Sequence, residues 1–258
     1  MNPWRRLLGG ATTASGHMTL DRRLADEAAL TVRLFTWARP AVTWGWRQTA
    51  PAWLAQADTV EQAERPTGGG VAVHGSDVAV AVIVPRVLAL PLSAIMAGVC
   101  GSAVRLCRAL GVDASAQLDV PCGRRIQYCL TDVSPYAVTA GGRKLAGFAI
   151  RRLRESWLVQ GSVLLAPLPE ELLRPMPADV RRQLAAHAVS VSDAAGRPVT
   201  PGEALACWRD GWSGWWPHHL SPDTASALRT ERQVVGSHHL PSAQRADPHY
   251  SKQAGDGR

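Results

Sequence analysis

Lysine is nearly absent from this chain of 258 residues. Lys144 and Lys252 are the only two among its 28 lysine and arginine side chains. A chain that uses arginine for almost every cation, yet places a compact, flexible ammonium just after Gly141-Gly142-Arg143, singles that position out. Paired cysteines are missing as well. Cys100, Cys107, Cys122, Cys129 and Cys207 form no Cys-x-x-Cys pair, which argues against a structural zinc site, and no metal is assigned. The longest apolar-rich stretch, 71–103, is interrupted by Pro85, Arg86 and Pro91 short of the roughly 18–20 residues a membrane span needs. Residues 1–18 carry two arginines but no continuous apolar segment, so no secretory signal is expected. The cysteines then read as reduced thiols of a cytoplasmic protein with no membrane partner.

What is present fits one sizeable core: 46% of the residues are hydrophobic and 19% charged. The formal net charge is +7. A basic surface can bind nucleic acid or steer an acidic protein. The arginines are scattered and belong to no nucleic-acid-binding module, so an acidic protein partner is the better reading and nucleic acid is not expected.

Helical spacing begins at Leu20, with Leu24, Ala28 and Leu30, and Thr19 stands ready to cap it. Alternation over 32–37 and the run 41–45 predict strands, and 53–63 predicts a short helix. Residues 71–84 predict two strands joined at Gly75-Ser76-Asp77. Residues 91–110 form the clearest helix, with Ile95, Val99, Ala103, Leu106 and Leu110 on one side. Strands are expected at 125–130, 136–139, 144–150 and 157–165, and a helix at 179–188. Hairpins alternating with separate helices predict an α+β fold, a mixed or antiparallel central sheet flanked by helices. Residues 1–230 are expected to form one catalytic domain, and the polar segment 231–258 a disordered tail.

Four local patterns carry chemistry. Arg65-Pro66-Thr67-Gly68-Gly69-Gly70 precedes a strand. Gly68, Gly69 and Gly70 allow backbone N–H groups to approach an anion or an acyl carbonyl, and Arg65 adds charge; the plainer alternative is a tight turn. Lys144, in Lys144-Leu145-Ala146-Gly147, can hold a carbonyl or phosphate as a point charge, or be a solvated edge-strand lysine. Cys129 can accept an acyl group as a thioester, or be an inert buried thiol. His74 reads equally as a general base or as a structural histidine bonded to backbone.

In this order the patterns resemble the lipoate–protein ligase and octanoyltransferase family, which shares its catalytic fold with biotin–protein ligases. The pieces are Met18-Thr19-Leu20-Asp21, residues 40–48, Arg65 through His74, Ser134-Pro135-Tyr136, residues 143–152 with Lys144 and Gly147, and Gln160 through Leu165. They span about 15–170. Cys129 precedes Ser134-Pro135-Tyr136, as the nucleophilic cysteine does in the ligase-like, cysteine-dependent octanoyltransferases.

The resemblance implies a sheet carrying an acyl tunnel lined by the glycine turn, with Lys144 on the acyl carbonyl and Cys129 as nucleophile. It implies an octanoyl or lipoyl group moved to a lysine of an acidic lipoyl-type acceptor, glycine cleavage H protein or a dehydrogenase E2 subunit. The donor is acyl carrier protein, with no cofactor, in a transferase. In a ligase it is free lipoate, with ATP and magnesium. The chain departs from the family pattern at Leu130, where an aromatic is expected, and at Phe148, where a small residue is expected.

Overall fold

The computed structural model describes residues 4–119 and 126–212. The chain runs β1 (Arg5–Thr12), α1 (Ala14–Glu27), β2 (Thr31–Trp37), β3 (Ala41–Trp44), β4 (Glu61–Glu64), β5 (Ala72–His74) and β6 (Asp77–Pro85). It continues through α2 (Leu92–Ala109), β7 (Ser115–Gln117), β8 (Ala137–Ala140), β9 (Arg143–Arg152) and β10 (Ser156–Leu164). It closes with α3 (Glu170–Leu173), α4 (Ala178–His187), α5 (Val191–Ala195) and α6 (Pro201–Gly211). Seven strands form one sheet in the order β1-β2-β6-β10-β9-β8-β7, and three form a small sheet, β4-β3-β5. Only β1–β2 in the first and β3–β4 in the second are parallel. This is the expected α+β arrangement with a mixed sheet.

Strand β6 shows why the sheet has two covered faces. Every residue of Asp-Val-Ala-Val-Ala-Val-Ile-Val-Pro is buried. Ala79, Ala81 and Ile83 cluster with Phe35, Leu158 and, from α1, Leu24 and Ala25. The alternate residues Val78, Val80, Val82 and Val84 point to the other face, where α2 and α6 pack. Helix α2, with 18 residues, is by length and composition apolar enough to cross a membrane. It is instead a core helix here: Ile95, Val99, Cys100, Ala103, Leu106 and Cys107 have no exposed surface. The Trp208 indole of α6 donates to Ser102 Oγ of α2 at 3.2 Å, locking the pair.

Several expected elements shift. Helix α1 begins at Ala14, capped by Thr13, whose Oγ1 accepts from Gly16 N at 3.1 Å. Thr19 lies inside the helix. The apolar spacing starts only at Leu20 because the first turn is small and polar. The expected helix 53–63 is a 3₁₀ turn, Ala52–Gln56, followed by β4. Glu-Gln-Ala-Glu has little strand propensity, and pairing with β3 decides its state. Strands β1 and β7, unforeseen, occupy the two edges of the large sheet. Residues 126–130 are a bend rather than a strand, tied to the chain before β5 by Cys129 N to Val71 O and Val71 N to Gln127 O, both 2.7 Å. Arg125 and the segment 231–258 lie outside the described residues.

Candidate functional site

A cavity of about 640 Å³ opens against the α1 face of the large sheet. That volume lies in the range of about 300–1,000 Å³ typical of small-ligand sites. Met18, Phe35, Trp37, Ala79 and Phe148 supply apolar wall; Lys144, Cys129, Asp132 and Ser134 form a polar cluster.

The cluster is held by β9 and the 126–135 loop. Lys144 is 1% exposed, so its ammonium needs acceptors inside the fold. It donates to Asp132 O at 3.0 Å and to Ser134 Oγ at 2.8 Å. Three residues along β9, Gly147 leaves the space in which lysine and cysteine meet. A Cβ there would lie 2.5 Å from Cys129 Sγ, 3.2 Å from Lys144 Cε and 3.4 Å from Lys144 Nζ. Lys144, Gly147 and Cys129, marked separately in the sequence, therefore converge on one point of the cavity wall.

Arg65 and the glycines form a second unit with a different internal logic from the one expected. Arg65 is 7% exposed and spends its donors on backbone: Nη2 to Gly68 O (2.7 Å) and Gly70 O (2.5 Å), Nη1 to Thr43 O (3.2 Å). Burial pushes the Arg65 pKa down to about 10, opposed by its electrostatic contact with Cys129. The guanidinium thus shapes the glycine turn, and Cys129 lies within its electrostatic reach. Gly69 sits at φ +88°, and a Cβ at Gly70 would strike the carbonyls of Ile126 and Gln127. Gly69 and Gly70 line the cavity, and Gln48 Nε2 clamps Gly69 O at 2.6 Å. Gly68 is not part of the cavity wall; a Cβ there would meet open space.

His74 lines the cavity with both ring nitrogens engaged. Nδ1 lies 2.8 Å from Asp77 Oδ2 and Nε2 3.0 Å from Thr43 Oγ1. A carboxylate can only accept, so Nδ1 carries a proton, and Nε2 shares a hydrogen bond with the Thr43 hydroxyl. The ring stacks on Trp37 at 4.0 Å. This places His74 in an Asp77–His74–Thr43–Arg65 chain that braces the glycine turn.

Two groups escaped the sequence reading. Asp132 and Ser134 hold Lys144; Ser134 opens the Ser134-Pro135-Tyr136 piece of the family pattern, but nothing in the sequence tied it or Asp132 to the lysine. The other group is a buried polar floor. Gln160 lines the cavity, donates to Asp21 Oδ2 at 2.7 Å and accepts from Thr67 Oγ1 at 2.8 Å. Asp21 pairs with Arg33, and Arg33 also donates to His17 Nδ1. His17 Nε2 donates to Thr36 O at 2.9 Å. Burial pushes the Asp21 carboxyl up to about 6 despite the Arg33 charge. Burial, reinforced by Arg33, pushes His17 down to about 4. In the sequence Arg33 passes for the outward residue of an alternating strand.

A mixed sheet that holds a buried lysine and a thiol against one apolar cavity, beside an arginine-anchored glycine turn, defines a site suited to a small ligand with a polar head and an apolar tail. The chain belongs to the lipoyl protein ligase A/B catalytic domain family, whose model matches residues 13–207. It is 29% identical to octanoyltransferase LipM of Kyrpidia tusciae over 269 residues, covering 92% of this chain and 97% of that one. Its fold is similar to that of a lipoate-protein ligase A solved bound with ATP: TM-score 0.63, 19% identity, covering 88% of this chain and 93% of that one. It is also similar to a bi-partite lipoate protein ligase of Thermoplasma acidophilum, described with its E2 lipoyl domain: TM-score 0.58, 18% identity, 88% and 91% covered. The family expected from the ordered motifs is the family found.

Proposed function

We propose that this chain is an acyltransferase that moves an octanoyl or lipoyl group to a lysine of a lipoyl-type acceptor through a thioester on Cys129. The convergence of Cys129 Sγ and the Lys144 ammonium on the space above Gly147 is the observation that carries this reading. Cys129, as thiolate, attacks the carbonyl carbon of a donor thioester; a C–S bond forms and a tetrahedral oxyanion develops. The remaining N–H of Lys144 points at that oxygen, in a wall sheltered from water where one donor is worth several kcal/mol. Collapse breaks the donor C–S bond and expels the donor thiolate, which takes up the proton that Cys129 gave up. The acceptor amine then attacks the Cys129 thioester, the amide forms and the thiolate is restored.

The apolar walls take the hydrocarbon chain. The donor is the acyl group carried by acyl carrier protein, and the acceptor an acidic lipoyl-domain protein in the same cytoplasmic compartment. This route consumes no ATP; activation of free lipoate with ATP and magnesium is the alternative chemistry of the family. One experiment separates them. The protein is incubated with octanoyl-acyl carrier protein and analysed by mass spectrometry. A hydroxylamine-labile octanoyl adduct on Cys129, absent in Cys129→Ser, is expected, with transfer lost in that variant. Full Cys129→Ser activity with lipoate and ATP would sink the thioester route.

A further inference from the structure

The same geometry that suits catalysis sets a hazard. A primary amine and a thiol both border the empty Gly147 position, 3.4 Å and 2.5 Å from where a Cβ there would lie. Once Cys129 carries an acyl group, Lys144 Nζ, having lost a proton, is near enough to attack the thioester carbonyl itself. An N–C bond would form, the C–S bond would break and the Cys129 thiolate would leave. The amine's second proton would pass to that thiolate or to solvent. The product is an amide on Lys144, which no step of the reaction removes. An enzyme with this site survives only if Lys144 is kept off that trajectory.

We infer that Ser134, with the Asp132 carbonyl, is a positioning residue that holds Lys144 Nζ beside the carbonyl oxygen and away from the carbonyl carbon, and so prevents the enzyme from acylating itself. The inference rests on the Cys129 thioester proposed above. Its support is the anchoring of Nζ. Lys144 is flexible by nature, with four rotatable bonds in its stem. Yet two acceptors on one short turn, Asp132 O at 3.0 Å and Ser134 Oγ at 2.8 Å, fix the nitrogen from the side of the 126–135 loop. Two of its three N–H bonds are then spent, and the third is the one left for an oxygen in the cavity. An N–H aimed at a carbonyl oxygen lies near the carbonyl plane. Nucleophilic attack requires the nitrogen above that plane. The turn itself is held in place: Tyr136 N donates to Gln117 O at 2.7 Å, and Tyr136 adopts φ +62°, a left-handed conformation that the surrounding structure must enforce. Removing the Ser134 hydroxyl deletes one anchor and lets Nζ swing toward the thioester carbon.

The test uses full-length protein acylated by octanoyl-acyl carrier protein without acceptor, then treated with hydroxylamine and mapped by mass spectrometry. Wild type should show a labile adduct on Cys129 and nothing stable. Ser134→Ala should accumulate a hydroxylamine-resistant octanoyl group on Lys144, at least tenfold above wild type, and lose turnover with time. Ser134→Thr, which restores a hydroxyl, should suppress it. Cys129→Ser combined with Ser134→Ala should abolish it, because transfer runs through the thiol. A merely structural serine would change rate or solubility and leave the adduct on Cys129. A Ser134→Ala protein that labels Cys129 alone overturns this inference while leaving the thioester intact. Absence of any labile adduct in wild type overturns both.

Discussion

At the scale of single residues, the site depends on an atom that is missing. Gly147 has an unremarkable strand position, and its neighbours explain it: the Cys129 sulfur would sit 2.5 Å from an added methyl. Gly147→Ala must displace the thiol or the lysine stem. Overpacking of this kind costs about 1–3 kcal/mol, which the fold should tolerate. Reacting groups moved by about 1 Å lose on the order of 100-fold in rate. The expected outcome is a soluble variant with a modestly lowered unfolding midpoint and octanoyl transfer reduced about 100-fold. Wild-type rates of Cys129 acylation in Gly147→Ala would show that the shared space is irrelevant. The sequence made Lys144 conspicuous by the scarcity of lysine, and Cys129 by its place before Ser134-Pro135-Tyr136. It could not show that Lys144 is buried, because nothing local separates an inward β9 lysine from an edge-strand one.

At the scale of elements, the buried floor ties α1 to β2 and β10, and its titration carries a sign that can be checked. His17 is depressed to about 4, so it contributes stability that is full above its ordinary value near 6.5 and is lost as pH falls toward 4. Asp21 is raised to about 6, so its contribution has the opposite sense: present at acid pH and lost as pH rises through 6. Across pH 4–6.5 the two oppose each other, and wild type is buffered by their pairing around Arg33. Replacing His17 by Gln removes one side of that balance. The stability deficit of His17→Gln relative to wild type should shrink on going from pH 7 to pH 4, by roughly 3 kcal/mol at about 1.4 kcal/mol per pKa unit. Urea titrations at both pH values measure it, and a deficit that grows on acidification would refute the assignment of a neutral, buried His17. The same level of organisation explains which elements the sequence revealed. Helix α2 and strands β6, β9 and β10 are long and patterned, and their expected positions hold to within a few residues. Strands β4 and β7 exist because a neighbour offers backbone to pair with, and 126–130 is a bend because Val71 binds it from across the chain. Such long-range hydrogen bonds leave no periodic trace.

At the scale of the whole molecule, the family and the α+β class were legible because motifs from six segments recur in order along about 150 residues, even though no single one is decisive. The charge is the other global property. A net +7 carried almost wholly by arginine gives a long-range field that is screened within about 8 Å at physiological ionic strength. If the acceptor is an acidic lipoyl domain, that field accelerates encounter without touching the chemistry inside the cavity. The two contributions separate by salt. kcat/KM for an acidic acceptor domain should fall on the order of tenfold between 50 and 500 mM sodium chloride. Acylation of Cys129 by a small neutral octanoyl thioester should change less than twofold over the same range, since a neutral donor carries no charge for that field to act on and the Lys144 ammonium is buried. Equal salt sensitivity in both reactions would place the effect inside the site. A salt-independent acceptor reaction would show that this basic surface serves some other end than drawing in the protein it modifies.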